Sequence, residues 1–208
     1  MKGRRPLTSE EVARLVGCAR DARERALFAV CIWTGARISE AVALNLDDVV
    51  RVRNGVVEAR SDLEFRRGIT KGQREGRQVK LHDTVAAYVI RYVETERGTE
   101  IGPLFTASPS GRCKAEGNRL SVRHATRIFG AALARADIFD CVGTQSGRKT
   151  FAQRLYEGGT HLATIQENLG HADVRTTTRY FRVNRANCAA AVAALPPGPP
   201  LPPEENTP

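Results

Sequence analysis

The sequence predicts a mainly helical α+β domain, a helical bundle with a small three-stranded antiparallel sheet about a quarter of the way along the chain. Apolar residues recur at helical spacing over most of the chain, and residues 26–33 form an apolar run without a polar face. Alternating apolar residues, which are typical of strands, occur at residues 49–57 and 77–81. The proline-rich residues 196–208 predict an extended, mostly disordered tail, so the domain is expected over residues 1–195.

The first helices have clear start and stop signals. Thr8 and Glu11 form a T-x-x-E capping box ahead of a narrow apolar stripe, so the first helix begins at Thr8. The second spans residues 22–34 and contains the apolar run, which predicts that it is central and buried, and Gly35 ends it. A short helix begins near Arg37.

The predicted sheet follows these helices. Residues 49–52, the turn Asn54-Gly55 and residues 56–57 indicate a strand, a tight turn and a return strand. A third strand is expected near residues 77–81, after a glycine-punctuated loop at residues 72–76. Helical spacing then resumes in six segments: residues 82–95, 120–136, 146–157, 161–169, 176–180 and 186–195.

The chain has a strong excess of basic residues. Its formal net charge is +9, and residues 1–195 carry +11 because the only charges after Leu195 are Glu204 and Glu205. This excess favours a polyanionic partner, and a cationic but solvated surface is the alternative.

Other features exclude several classes of protein. No apolar run approaches the roughly 18 to 20 residues of a membrane helix, and the basic start lacks the apolar stretch of a secretion signal. The five cysteines are odd in number, widely spaced and without a CxxC pair, which speaks against a disulfide framework and a zinc site. We therefore expect a reducing, intracellular compartment.

Two arginines lie where a guanidinium could bind a phosphate. Arg37 follows the most buried helix, and Glu40, three residues later on the same face, could orient it; an ordinary surface ion pair is the alternative. Arg148 is in line with the apolar stripe of its helix and should be at least partly desolvated, paired with either a phosphate or a structural carboxylate. Gln145 lies one turn earlier and could reach the same ligand.

The remaining candidates suit phosphodiester chemistry without a metal. Lys71 opens the glycine-rich loop TKGQREGR, in a stretch from residue 66 to 80 with six bases and one acid, which could follow a nucleic-acid backbone or simply face water. His171 and Tyr180, taken singly, are typical of a helix end and of packing. Together with two arginines and Lys71 they supply a nucleophile, phosphate ligands and a proton donor. No carboxylate cluster suited to magnesium is evident in the sequence.

These motifs resemble, in content and order, those of the tyrosine recombinases, also called phage integrases. TGARISEAVALNLDDV (residues 34–49) resembles their first arginine box, and TKGQREGRQVKL resembles their lysine hairpin. GTQSGRKTF through TTTRYFRV (residues 143–183) is similar to the second box, the LGH motif and the approach to the nucleophilic tyrosine. The resemblance covers nearly all of residues 8–185.

The resemblance implies the catalytic-domain fold of that family and a set of roles. Tyr180 would attack a DNA phosphate to give a 3′-phosphotyrosine and a free 5′-hydroxyl. Lys71 would protonate the leaving oxygen, and Glu40 would steady Arg37. Three residues would bind the non-bridging oxygens: Arg37, Arg148 and His171. Further contacts to DNA are expected from Arg66, Arg67, Arg74, Arg77, Lys149, Arg175 and Arg179. No metal or cofactor is implied.

The sequence departs from the family pattern in two respects. Gln145 stands where histidine is usual and Gly147 where leucine is customary, and glutamine cannot accept and carry a proton. We expect slow cleavage, or compensation by Lys149, with inactivity as the alternative. Family members usually carry an additional N-terminal helical domain, and we expect this chain to lack it, like the short recombinases of bacterial inversion switches or a truncated integrase.

The implied partner is double-stranded DNA with specific recombination sites. The resemblance implies a homotetramer on DNA formed through residues 186–195, allows for accessory DNA-binding proteins, and places the protein in the bacterial cytoplasm with the nucleoid. Two other functions stay open. One is a catalytically weak or inactive DNA-binding regulatory protein, and the other is a type IB topoisomerase-like enzyme, which relaxes DNA with little sequence choice.

Overall fold

The computed structural model describes residues 4–66, 76–107, 118–140 and 142–170, and these confirm the predicted α+β class. The helices are α1 (Ser9–Gly17), α2 (Ala22–Trp33), α3 (Ile38–Ala43), α4 (Leu46–Val49), α5 (Asp83–Tyr92), α6 (Val122–Arg135), α7 (Thr144–Glu157) and α8 (Leu162–Leu169). The strands are β1 (Val50–Arg53), β2 (Val56–Ala59), β3 (Asp62–Phe65) and β4 (Arg77–Lys80). The predicted helices at residues 176–180 and 186–195 and the proline-rich tail lie outside the described residues.

Helix α2 is the centre of the core, as its apolar run predicts. Residues 26–32 are at most 1% exposed, and the helix packs against α5 and α7. The ring of Phe28 meets that of Phe129 on α6 edge to face, with 5.3 Å between the ring centroids. Within the described ranges, no helix combines the length and the apolarity needed to cross a membrane.

Both ends of α2 are fixed. At its start the Asp21 side chain accepts a hydrogen bond from Glu24 N at 2.7 Å, and a Glu96 carboxylate oxygen accepts one from Ala22 N at 2.7 Å. At its end Gly35 adopts φ +64°, a left-handed conformation that side chains other than glycine rarely tolerate. The carbonyl groups at the end of α2 are therefore held in defined positions.

The N-terminal segment is attached to the second half of the chain. The predicted capping box is present, since Thr8 N donates to a Glu11 carboxylate oxygen at 2.9 Å and Glu11 N donates to Thr8 Oγ1 at 3.2 Å. Just before it, Leu7 N donates to Thr150 Oγ1 at 2.8 Å, which links the segment to α7.

The prediction of a single three-stranded sheet is wrong. The described residues form four strands in two separate antiparallel pairs, β1–β2 and β3–β4. The Asn54-Gly55 hairpin is as predicted, with positive φ at both residues and Arg53 opposite Val56. Strand β3 was not predicted because only Leu63 and Phe65 are apolar in its four residues, too short a pattern to separate from a loop.

A loop after α5 supports the end of α3. The predicted helix at 82–95 becomes α5 followed by a π-helical turn, Val93–Arg97. The Arg97 guanidinium is buried and donates to Pro103 O, from Nε at 3.1 Å and from Nη2 at 2.9 Å. In the same loop, Leu104 N donates to Leu44 O at 2.9 Å, just beyond α3.

Helices α7 and α8 complete the described fold beside α2. Helix α7 lies close to α2 because Gly147 has no side chain, and a Cβ there would be 3.3 Å from the Cys31 carbonyl oxygen. Helix α8 buries Ile165 and Leu169 against α7. The C-terminal ends of α2 and α8 thus both lie beside α7.

We predict that Gly35→Ala destabilises the protein more than Gly55→Ala does. Both glycines have positive φ, which costs about 1 to 2 kcal/mol for alanine. At Gly35 the added Cβ would also lie 2.5 Å from Phe151 Cδ1, whereas at Gly55 it meets open space. Urea unfolding of both variants measures the difference, and equal losses would show that the contact with Phe151 is readily relieved.

Candidate active site

The carboxylate of Glu40, in the first turn of α3, is fully buried and contacts Arg37 at two points. Oε2 accepts a hydrogen bond from Arg37 N at 2.9 Å, and Oε1 accepts one from Arg37 Nη1 at 2.5 Å. Because the two residues are three apart at the start of a helix, local geometry alone brings them together. The structure therefore joins the pair that the sequence suggested.

Two more guanidinium groups contact the same carboxylate from distant parts of the chain. Arg77 Nη2 donates to Glu40 Oε2 at 3.0 Å, and Arg148 Nη1 lies 3.9 Å from the same oxygen. Arg77 is 5% exposed and Arg148 is 2% exposed. We call Glu40, Arg37, Arg77 and Arg148 the Glu40 cluster.

Backbone carbonyls at two helix ends bind the buried arginines. Arg148 donates through Nη1 to Gly35 O at 2.7 Å and through Nη2 to Leu169 O. Arg77 Nη1 donates to Asn168 O at 2.6 Å and to Thr34 O at 3.3 Å. These carbonyls lie at the C-terminal ends of α2 and α8, where helices leave acceptors unused and carry partial negative charge. The arginines therefore bind where the fold favours positive charge.

The cluster stays ionised around a charged Glu40. Burial opposes the charge of the carboxylate, but attraction to Arg77, the hydrogen bond from Arg37 N and the charges of Arg148 and Arg37 outweigh it, so the pKa of Glu40 is lowered from 4.5. Three guanidinium groups around one carboxylate leave a net charge of +2. The cluster consequently favours an additional anion.

Arg37 is the member of the cluster that solvent reaches. Its side chain is 33% exposed, while the side chains of Arg77, Arg148 and Glu40 are between 0% and 3% exposed. An anion that approaches from solvent would therefore meet Arg37 first, with the other charges behind it.

The cysteine of α2 has a thiol that is a poor nucleophile. Cys31 is fully buried on α2, and burial together with the negative charge of Glu40 raises the pKa of its thiol to about 12. The thiol is protonated at neutral pH and serves as a packing group.

The structure describes three further residues that the sequence singled out. Gln145 is exposed in the first turn of α7, although Arg148 one turn later is buried. Lys149 Nζ donates to Arg4 O, and burial lowers the pKa of Lys149. Arg66, with a side chain 57% exposed, pairs with Asp48 at 2.5 Å. Seven predicted residues lie outside the described ranges: Arg67, Lys71, Arg74, His171, Arg175, Arg179 and Tyr180.

Arg77 requires a correction. It was expected among the bases that contact DNA, but its guanidinium is buried and bound to Glu40 and two backbone carbonyls. A signal was present in the sequence: Arg77, Val79 and Leu81 alternate, and all three face the interior. Arginine in register with buried apolar residues indicates an internal partner.

We predict that Glu40→Gln lowers the free energy of unfolding at pH 7 by about 3 to 5 kcal/mol, because it leaves three guanidinium groups without their carboxylate. Since the pKa of Glu40 is lowered in the folded protein, the stability that its charge provides is present above its unfolded pKa and is lost as the pH falls through the folded pKa. The difference between the two proteins should therefore shrink below about pH 4.5.

Urea unfolding between pH 7 and pH 3 measures this effect. Glu10→Gln is the matched control, because Glu10 is exposed on α1 and its replacement should cost less than about 1 kcal/mol. A difference for Glu40→Gln that stays constant down to pH 3 would contradict a charged Glu40.

Comparison with known proteins identifies the family. The tyrosine recombinase XerD of Mycobacterium leprae (strain TN) is 34% identical over 158 residues, which cover 76% of this chain and 47% of that protein. The chain spans about half the length of the curated relatives that it matches.

Two solved structures share the fold. One is the XerH site-specific recombinase bound to difH substrate in a pre-cleavage complex, with a TM-score of 0.64, 22% identity and coverage of 93% of this chain and 55% of that chain. The other is the catalytic domain of bacteriophage HP1 integrase, with a TM-score of 0.64, 21% identity and coverage of 92% and 95%. The sequence profile of the phage integrase family matches residues 5–187. The chain belongs to the phage integrase family, that of the tyrosine recombinases.

Proposed function

We propose that this chain is the catalytic part of a site-specific DNA recombinase that cleaves and rejoins strands through a 3′-phosphotyrosine intermediate. The observation that carries the proposal is the Glu40 cluster, with its net charge of +2 and its partly exposed member Arg37. Membership of the family supports it, as does the similar fold of a recombinase bound to its DNA substrate.

The charge of the cluster suits phosphoryl transfer. A phosphodiester carries one negative charge, and more negative charge develops on its oxygens as a nucleophile attacks. Donors that are fixed before the reaction stabilise that developing charge without reorganisation. In the proposal Arg37, Arg148 and His171 bind the non-bridging oxygens, and Glu40 holds Arg37 in place through Oε1.

The proposed reaction conserves the energy of the phosphodiester bond. Tyr180 attacks the phosphorus as its hydroxyl proton passes to solvent, the bond between phosphorus and the 5′-oxygen breaks, and Lys71 gives that oxygen its proton. A free tyrosine with a pKa near 10 is about one part in a thousand ionised at pH 7, so the cationic cluster assists the attack. The 5′-hydroxyl of a partner strand then reverses the step, which restores the phosphodiester and releases Tyr180.

The proposed partner is double-stranded DNA that carries a specific recombination site. Residues 1–195 have a net charge of +11, which favours contact with phosphates. The proposal extends to a homotetramer on DNA joined through residues 186–195 and to Lys149 as a phosphate contact beside Gln145. The family resemblance supports the first extension, and the position of Lys149 one turn after Gln145 on α7 supports the second.

We predict that the protein forms a covalent adduct with DNA through Tyr180. The substrates are nicked genomic fragments from the source organism. When a strand is cleaved close to a nick, the short piece with the 5′-hydroxyl diffuses away, so the reaction cannot reverse and the adduct is trapped. We expect adducts that resist detergent, at few sequences, and none with Tyr180→Phe. Arg37→Lys should slow adduct formation by roughly 10²- to 10³-fold, because lysine cannot replace the bidentate hydrogen bonds of a guanidinium to a phosphate.

The alternatives give other outcomes in the same assay. Bound DNA without any adduct would indicate a DNA-binding regulatory protein. Adducts spread over all sequences, with relaxation of any supercoiled plasmid, would indicate a topoisomerase.

We predict that Gln145→His speeds cleavage of the captured DNA by about tenfold or more, because a histidine can carry a proton in a step where general acid–base catalysis contributes roughly 10² to 10⁴. Single-turnover adduct formation measures the rate. Gln153→His, two turns further along α7, is the matched control and should leave the rate unchanged. An unchanged rate in Gln145→His would show that this position does not limit cleavage.

A further inference from the structure

Arg77 lies at the base of the β3–β4 hairpin, six residues after Lys71. Its side chain is 3% exposed and belongs to the interior of the fold. It binds three acceptors on three segments: Glu40 Oε2 at 3.0 Å, Asn168 O at 2.6 Å and Thr34 O at 3.3 Å.

The hairpin itself also fixes the Arg77 guanidinium. Phe65 is directly opposite Arg77 in the antiparallel register. The Arg77 Cζ atom lies over the Phe65 ring, 4.0 Å from its centroid, and the ring is fully buried. A guanidinium that lies over a ring and donates hydrogen bonds to several acceptors has a defined orientation. The flexible ammonium group of a lysine could not make the same set of contacts.

Each acceptor of Arg77 is close in sequence to a residue of the proposed reaction. Thr34 precedes Arg37 by three residues, and Asn168 precedes His171 by three. Glu40 holds Arg37 and lies 3.9 Å from Arg148. The Arg77 guanidinium thus connects the hairpin of Lys71 with the end of α2, the start of α3 and the end of α8.

We propose that Arg77 is a positioning residue that sets the lysine hairpin against the Glu40 cluster and the end of α8. The proposal rests on the proposed function for its effect on rate. It differs from contact with DNA, because a positioning residue acts through the groups that it holds in place. A displacement of about 1 Å at a reacting group can cost roughly 10²-fold in rate.

The experiment compares Arg77→Met, Arg77→Lys and the wild-type chain. Arg53→Met is the matched control, an exposed arginine on a strand of the other hairpin. Two quantities are measured with fresh DNA of the sequence that the adduct assay identifies. They are the dissociation constant of the complex and the single-turnover rate of adduct formation at saturating DNA. We expect Arg77→Met to slow the rate about 10²-fold while the dissociation constant changes less than about threefold.

Arg77→Lys keeps the charge and one contact, so its rate should lie between those of the wild type and Arg77→Met, and it covers the case in which Arg77→Met fails to fold. Arg53→Met should match the wild type in both quantities. Weaker DNA binding with an unchanged saturating rate would overturn the proposal in favour of a DNA contact. Unchanged values in both Arg77 variants would overturn it as well.

Hydrogen exchange of the free protein separates this proposal from the proposed function. Arg77→Lys should speed amide exchange in the peptides that cover residues 62–80 and 165–170, and leave α1 unchanged. If the wild-type chain formed no adduct, the proposed function would fail, yet this exchange pattern would still report the link made by Arg77. Exchange identical to the wild type would overturn that link.

Discussion

The buried carboxylate of Glu40 is the interaction on which the candidate site depends. Three guanidinium groups from residues that are up to 111 positions apart in the chain meet around it, and without its charge they would repel one another. A charged group inside a protein is costly unless it is paired and hydrogen-bonded, and Glu40 is both. The same carboxylate therefore organises the core and the exposed Arg37.

The ends of α2 and α8 supply the second half of this arrangement. Thr34 and Gly35 at one end, and Asn168 and Leu169 at the other, present carbonyl oxygens to buried arginines. Residues 26–32 of α2 are buried and the helix is fixed at both ends, so the Thr34 and Gly35 oxygens have little freedom to move. Rigid packing of the core thus fixes the positions of the buried arginine charges at its edge.

Local patterns in the sequence predicted much of this, and long-range contacts account for the rest. The buried helix, its stop at Gly35 and the pairing of Arg37 with Glu40 depend on neighbours within four residues, so spacing reveals them. The contact between Arg77 and Glu40 joins residues 37 positions apart, so local spacing does not reveal it. Counting basic residues does not separate buried arginines from exposed ones, which is why Arg77 was expected at the surface. Strand β3 was missed for a related reason, because its identity depends on pairing with β4 rather than on its own four residues.

The close approach of α7 to α2 at Gly147 constrains how this protein can change during evolution. Two of the three atoms nearest to a Cβ at this position belong to the backbone of Cys31, so no replacement of the Cys31 side chain would make room. A lineage that acquires the leucine customary at this position must shift α7 outward, and α7 carries Arg148 between the two carbonyls that it binds. A larger side chain at position 147 therefore also changes the position of the Arg148 guanidinium. Restoring that position while keeping the larger side chain requires compensating changes elsewhere in the core.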